Sequence, residues 1–142
     1  MSSSIKQIAE SNNFTAVNFG KLSRILESAN GKIFLKEATQ ATGTEISISV
    51  LPPRTELPIF HLHKQNEETY IILSGEGKFQ VDDQCFDISE GSVIRVAPAG
   101  LRGMTNTSDE QMAYIVIQAE ENSLEQHTME DGVVEEMTPL WR

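Results

Sequence analysis

Two histidines, His61 and His63, stand two residues apart in the run HLHKQNEETYIILSG, which also carries a carboxylate at Glu68 and a glycine at Gly75. On an extended segment, residues i and i+2 point to the same side, so both imidazoles can face one interior. A carboxylate brought onto that side completes a two-histidine, one-carboxylate set. Such a set can hold a divalent metal and leave coordination positions open. The step from His63 to Glu68 is odd, so residues 64–67 must turn or bend for Glu68 to join the histidines. The strand beyond then sends Glu68, Tyr70 and Ile72 inward and Thr69, Ile71 and Leu73 outward. Glu67 competes with Glu68 for the carboxylate role. Tyr70, sharing the parity of Glu68, could give a proton or orient a ligand; the alternative is a wall aromatic with its hydroxyl on water.

The elements that must position these groups read as strands. Residues 44–51 (TEISISVL) alternate Ile46, Ile48 and Val50 with Ser47 and Ser49, the period of a half-buried strand. Pro52-Pro53 ends it, because proline cannot donate to a ladder. Further strands are expected at 32–37, 59–63, 68–73, 77–81, 85–88, 92–97 and 112–119. The gaps carry turn residues such as Ser74-Gly75, Asp82-Asp83, Glu90-Gly91 and Asn106 to Asp109. Many short strands at this spacing predict an all-β sandwich or barrel, with closure as the usual answer to exposed edges. One domain over 1–142 is expected, with a core barrel at about 32–119 and short N- and C-terminal extensions. Residues 1–12 read as frayed and 13–29 as an extended piece with a helical turn. Asn30-Gly31 reads as a turn. The acidic tail, 120–142, is expected to add a short strand at 132–137 and to dock back through Trp141.

Composition narrows the function. The formal charge is −10 and the pI about 4.7, which argues against nucleic acid or an anionic membrane as partner. There is no apolar run long enough to span a bilayer and no apolar leader at the N-terminus. The single cysteine, Cys85, excludes an intramolecular disulfide framework. A cytoplasmic protein acting on a small molecule is the expectation.

The pattern His61-x-His63-x4-Glu68-x6-Gly75 resembles the first signature motif of the cupins, small antiparallel jelly-roll β-barrels. The spacing to Gly75 selects Glu68 over Glu67. With the second motif region the resemblance spans roughly residues 44–118, and it is closest to small single-domain bacterial-type cupins of unassigned activity. It implies a divalent ion (iron, manganese, nickel or zinc) on His61, His63 and Glu68, with no organic cofactor. It also implies metal-dependent dioxygenase, isomerase or decarboxylase chemistry, without choosing among them. Homodimers formed by edge-strand exchange are a further implication, with the exchanging strands sought in 13–37.

The second cupin motif resembles G-x5-P-x-G-x2-H-x3-N, whose histidine is a fourth ligand. Here the region is GSVIRVAPAGLRGMTN, residues 91–106, and contains no histidine. Aligned on Pro98 and Gly100, Gly103 takes the histidine position and the fourth coordination site is vacant. Aligned on Gly91 and Asn106, Arg102 takes it. An inward Arg102 cannot ligate a metal, since it has no acceptor. It could grip a carboxylate or phosphate, or pair with Glu68 and seal a barrel without metal. Arg102 in a surface loop is the bland alternative, and the orientation of Arg95 hangs on the same register. Tyr70 and Arg102 are the auxiliary residues to test if the protein is an enzyme. The competing function is a metal-free binding domain for a small anionic or sugar-like ligand, using Arg102 and the two histidines. Met104 reads as lining, Cys85 as an inert thiol, and His127 as a tail residue outside the barrel.

Overall fold

The computed structural model describes residues 5–27 and 31–142. Its strands are β1 (Lys6–Ser11), β2 (Phe14–Asn18), β3 (Lys32–Phe34), β4 (Glu45–Leu51), β5 (Asn66–Ile72), β6 (Glu76–Val81), β7 (Gln84–Ser89), β8 (Val93–Val96), β9 (Arg102–Asn106) and β10 (Met112–Glu120). One short helix, α1, covers Lys36–Thr39, and 3-10 turns lie at Leu22–Glu27 and Met129–Asp131. A five-stranded sheet in the order β3-β4-β10-β5-β8 faces a three-stranded sheet in the order β7-β6-β9. All the pairings are antiparallel, as a jelly-roll requires.

The main core lies between the two sheets. Tyr70 and Ile72 of β5, Phe79 of β6, Ile88 of β7, Met104 of β9 and Met112, Tyr114 and Val116 of β10 meet there. Phe79 is fully enclosed and stacks edge-on against Tyr70, ring centroids 4.9 Å apart. Burying a ring of that size contributes about 1.5–3 kcal/mol. A second cluster, Ile25, Ile33, Ile48, Val50 and Ala113, sits on the opposite face of the five-stranded sheet, with Ile5 and Phe19 packed against it. The period-2 pattern of β4 is therefore real, but its apolar face packs outward beneath the N-terminal segment. Ser47 and Ser49, both buried, face the barrel interior instead. Alternation reveals that a strand has two faces; which one meets the barrel depends on what covers the other.

Several expected elements are different. Residues 6–11, expected to be frayed, form β1 and pair with β2 across a two-residue turn, Ser11 opposite Phe14. The ladder expected through 32–37 stops at Phe34. The Lys36 amide then donates to the Glu45 carboxylate at 2.8 Å and the chain turns into α1. Residues 28–30, with Asn30 of the expected turn, lie outside the described residues, and so do residues 1–4. Residues 59–63 are extended but are not a strand. Pro58 offers no donor, and the chain around it pairs with β9 through isolated bridges, Glu56 to Thr105 and His61 to Arg102. Residues 102–106, for which no strand was expected, form strand β9. Residues 132–137 are not a strand, and Trp141 is 86% exposed rather than docked. No helix among the described residues is long and apolar enough to cross a membrane.

Gly75 makes the β5–β6 turn with φ +90°, where a side chain is strained, and an added Cβ would also lie 3.0 Å from Met112 Cα. That turn carries the chain from the five-stranded sheet to the three-stranded one, while the register of β5 is held by β10 and β8.

Candidate metal centre

Strand β5 delivers the carboxylate as parity requires. Glu68, Tyr70 and Ile72 are buried, while Thr69, between them, is only half-buried. Glu67 turns outward and binds Arg95, accepting from Nε at 2.9 Å and Nη2 at 2.7 Å. That pairing removes the competing carboxylate and fixes Arg95 on the outside, where Glu121 is its second partner.

The histidine segment is held by backbone bonds to its neighbours. The amide of His61 donates to Arg102 O at 3.1 Å, Arg102 N donates back to His61 O at 3.0 Å, and His63 N donates to Pro98 O at 2.9 Å. Both rings then turn Nε2 toward Glu68. His61 Nε2 lies 3.4 Å from Oε1 and His63 Nε2 lies 3.3 Å from Oε2.

Arg102 occupies the fourth position. Strand β9 runs in the register Val81–Arg102, Gln80–Gly103 and Phe79–Met104, so Arg102 and Met104 point inward and Gly103 points out. An added Cβ on Gly103 would meet the Phe60 ring at 2.6 Å. The alignment through Gly91 and Asn106 is thus the structural one, and the surface-loop reading of Arg102 is overturned. Arg102 is 1% exposed. Nη1 donates to Glu68 Oε1 at 2.7 Å, Nε to Gly100 O at 2.9 Å and Nη2 to Ala97 O at 2.8 Å. The Tyr70 hydroxyl donates to the same Glu68 Oε1 at 2.8 Å, so the reading of Tyr70 as a wall aromatic with its hydroxyl on water is not what the structure holds.

These contacts set the charges. Burial alone would raise the Glu68 carboxyl, but the Tyr70 hydroxyl, His63 and Arg102 outweigh it and hold it below the usual carboxylate range. Burial, with Arg102 and His63 adding to it, lowers His61 below 6.5 despite the opposing Glu68. The Tyr70 hydroxyl is pushed well above its ordinary value by burial and by the Glu68 charge. At neutral pH the centre therefore holds a carboxylate, a neutral His61 and a neutral phenol. Both lowered groups act in the same direction on stability. Protons bind the unfolded chain first, so stability is complete above 6.5, the ordinary value for His61. It falls as pH drops through that value, and falls further below 4.5, the ordinary value for Glu68. Thermal melts from pH 8 to pH 4 should show Tm declining from about pH 6.5 downward. A Tm that rises on acidification over this span would contradict the arrangement.

The donor set suits a divalent ion. One ligand atom from each of His61, His63 and Glu68 lies within 4.8 Å of the other two. His63 Nε2 is closed off from solvent and makes no hydrogen bond, although Glu68 Oε2 lies 3.3 Å away. A buried polar atom left unpaired costs about 1–3 kcal/mol, and a metal ion would satisfy it. Glu68 divides its work: Oε1 takes Arg102 and Tyr70, and Oε2 is left facing His63. Hydrogen bonds that orient a ligating carboxylate in this way are a regular part of metal sites. The Arg102 cation acts against a bound ion through like-charge repulsion.

The remaining residues named from sequence are dispersed. Met104 is a core residue, Cys85 is exposed on β7, and His127 lies in the exposed tail. Sequence reasoning missed the carbonyls of Ala97 and Gly100 that seat Arg102. They are backbone acceptors, which leave no mark in residue type, so no sequence signal pointed to them.

Two facing antiparallel sheets around an inward His/His/Glu set define a small jelly-roll domain with a metal-type centre. A family model for the cupin domain matches residues 47–118. The chain belongs to the cupin family. It is similar to the crystal structure of a cupin protein from Bacteroides fragilis, at 40% identity over 73% of this chain and 88% of that one, TM-score 0.70. An uncharacterized double-stranded β-helix protein from Klebsiella pneumoniae (18% identity, 73% of this chain and 90% of that one, TM-score 0.59) shows the same fold. So does a cupin 2 conserved barrel domain protein from Salinispora arenicola (20% identity, 56% of this chain and 66% of that one, TM-score 0.51). No curated protein matches the chain.

Proposed function

We propose that this cupin binds a divalent metal ion through His61 Nε2, His63 Nε2 and Glu68 and presents it to a small molecule in the barrel mouth. The observation that carries this reading is the buried Nε2 of His63, which makes no hydrogen bond and lies 3.3 Å from Glu68 Oε2. Iron, manganese, nickel and zinc all suit imidazole and carboxylate donors. Bound there, such an ion supplies a Lewis acid or a dioxygen-binding centre. Tyr70 and Arg102 position Glu68 by holding Oε1, and His61, partly exposed, faces the side from which a ligand enters. The proposal keeps the cytoplasmic location expected from composition, and leaves catalysis outside it.

One observation favours a second reading. The Arg102–Glu68 pair neutralises the carboxylate with no metal present, so the barrel could bind a small anionic or sugar-like ligand through Arg102 and the histidines. Against this, the Nε and Nη2 donors of Arg102 are already bound to Gly100 and Ala97, so its fork is not free to grip an anion.

Metal content measured on protein purified without a metal-affinity tag tests the proposal. Stoichiometric metal in the wild type, falling to background in His61→Ala/His63→Ala with the fold retained, is expected. Content far below stoichiometric after reconstitution with each of the four metals sinks it and leaves the metal-free reading.

A further inference from the structure

Beside the metal-type centre, the barrel mouth holds two side-chain amides, Asn66 and Gln118. Strand β10 sends Met112, Tyr114 and Val116 into the core, so Gln118, next in the alternation, faces the same interior. It stands directly opposite Glu68 in the β10–β5 ladder. Residues opposed in this way have Cβ atoms about 4.5–5.5 Å apart, so the Gln118 amide borders the carboxylate of the centre. Asn66 shares the face of Glu68 on β5 and is the diagonal neighbour of Gln118. Its Nδ2 donates to Gln118 Oε1 at 2.7 Å. Both side chains are half-buried.

Glu68 does not need this pair. Arg102 and Tyr70 already take Oε1, and Oε2 faces His63. A carboxamide carries two N–H donors and an acceptor oxygen. The bond between the two amides uses part of that capacity, and Gln118 Nε2 and Asn66 Oδ1 make no hydrogen bond to a described residue. Rotating both amides by 180° reverses the bond and still leaves one donor group and one acceptor. The pair therefore presents a donor next to an acceptor. A hydroxyl or carboxamide on a ligand answers both at once, because it too gives and accepts. A carboxylate or phosphate only accepts, and sets its charge against the acceptor oxygen. Two neighbours add to that repulsion. Glu45 stands opposite Gln118 on β4 and Glu120 stands opposite Asn66, each on the pair's own side of the sheet. Arg102, the buried cation of the centre, is committed to Glu68 and to two backbone carbonyls.

We infer that Asn66 and Gln118 are the specificity-determining pair of this centre, and that its ligand carries an uncharged hydroxyl or carboxamide beyond the atom that meets the metal. The inference rests on the metal-binding reading above, since the pair selects among ligands that the metal holds. In the arrangement seen, Gln118 Nε2 donates to the oxygen of that group and Asn66 Oδ1 accepts its proton.

Succinamate and succinate test this. They share a chain length and one carboxylate for the metal, and differ in ending on a carboxamide or a second carboxylate. The full chain, loaded with whichever of iron, manganese, nickel or zinc it retains stoichiometrically, is titrated with each by calorimetry. Wild type is compared with Gln118→Leu and Asn66→Leu, which keep bulk and remove an amide. Metal per chain is expected to be equal in all three. The ratio of succinamate to succinate affinity is expected to be about five- to tenfold higher in the wild type than in either variant, the effect of one or two neutral hydrogen bonds. A wild type that holds metal but does not bind succinamate overturns the inference and leaves the metal-binding reading standing. So does a ratio that both variants keep, whether their affinities are unchanged or fall equally for the two probes, since the pair then only shapes the centre. A wild type that retains none of the four metals is the separate failure of the metal-binding reading, and the inference falls with it.

Discussion

Arg102→Met is expected to lower stability at pH 7 by about 3–5 kcal/mol, the cost of leaving a buried charge without its partner. Glu68 sits almost fully inside the barrel, and Arg102 supplies its one permanent cation at 2.7 Å. Methionine fills similar volume but returns no donor, so Oε1 keeps only the Tyr70 hydroxyl. The carbonyls of Gly100 and Ala97 lose their partners in the same step. A Tm fall of roughly 10 °C or more follows for a domain of this size. The pH dependence separates a lost ion pair from lost packing. Without Arg102 the Glu68 carboxyl binds a proton more readily, so the gap between variant and wild type should narrow as pH falls toward 4.5, its ordinary value. A gap independent of pH would assign the loss to packing alone. The same variant should bind divalent metal more tightly than wild type, because the opposing cation is gone. Arg102→His, which restores a fourth donor, should bind tighter still. Metal affinity unchanged in both variants would show that Arg102 does not act on the centre.

Asn106→Ala should be comparably damaging to stability and harmless to metal binding. Asn106, 1% exposed, ties three stretches of chain together. Its Nδ2 donates to Leu51 O at 3.1 Å, Pro52 O at 2.9 Å and Glu110 O at 2.8 Å. Its Oδ1 accepts from Ser108 N at 2.9 Å and Ser108 Oγ at 2.7 Å. Alanine leaves several of these groups unpaired at about 1–3 kcal/mol for each one that stays buried, so denaturant unfolding should show a loss of several kcal/mol. Four residues along β9 place it roughly 13 Å from Arg102, and metal content per folded chain should be unchanged. A stable Asn106→Ala, or one that folds normally yet loses metal, would refute this assignment.

Much of the centre was legible because its signals are local. His61 and His63 share a side because they are two residues apart on an extended segment, the bend after them brings in β5, and there parity survives folding: Glu68, Tyr70 and Ile72 point inward as the alternation of β5 predicts. The strands with apolar alternation and turn residues at both ends were also readable. Strand β9 was not, because its inward residues, Arg102, Met104 and Asn106, break the hydrophobic pattern that announces a strand. The segment 59–63 misled in the opposite sense. Its apolar residues look like a strand, but Pro58 denies it the ladder, and Ile59, Phe60 and Leu62 end up exposed. Trp141 misled for a different reason: its size suggests a covered residue, but nothing local in the sequence says where the tail lies on the fold, and the side chain is exposed.

By itself the sequence determined that a jelly-roll would bring two histidines and a glutamate to one interior, because residues i and i+2 of an extended segment share a side and β5 keeps its own alternation. It left Arg102 and Gly103 as equal claimants to the fourth position. Only the tertiary structure decided between them. The choice depends on how β9 registers against β6, and on a carboxylate 34 residues away being in place to receive the guanidinium. Sheet register is fixed by the whole set of cross-strand pairs at once, so no local stretch of sequence contains it.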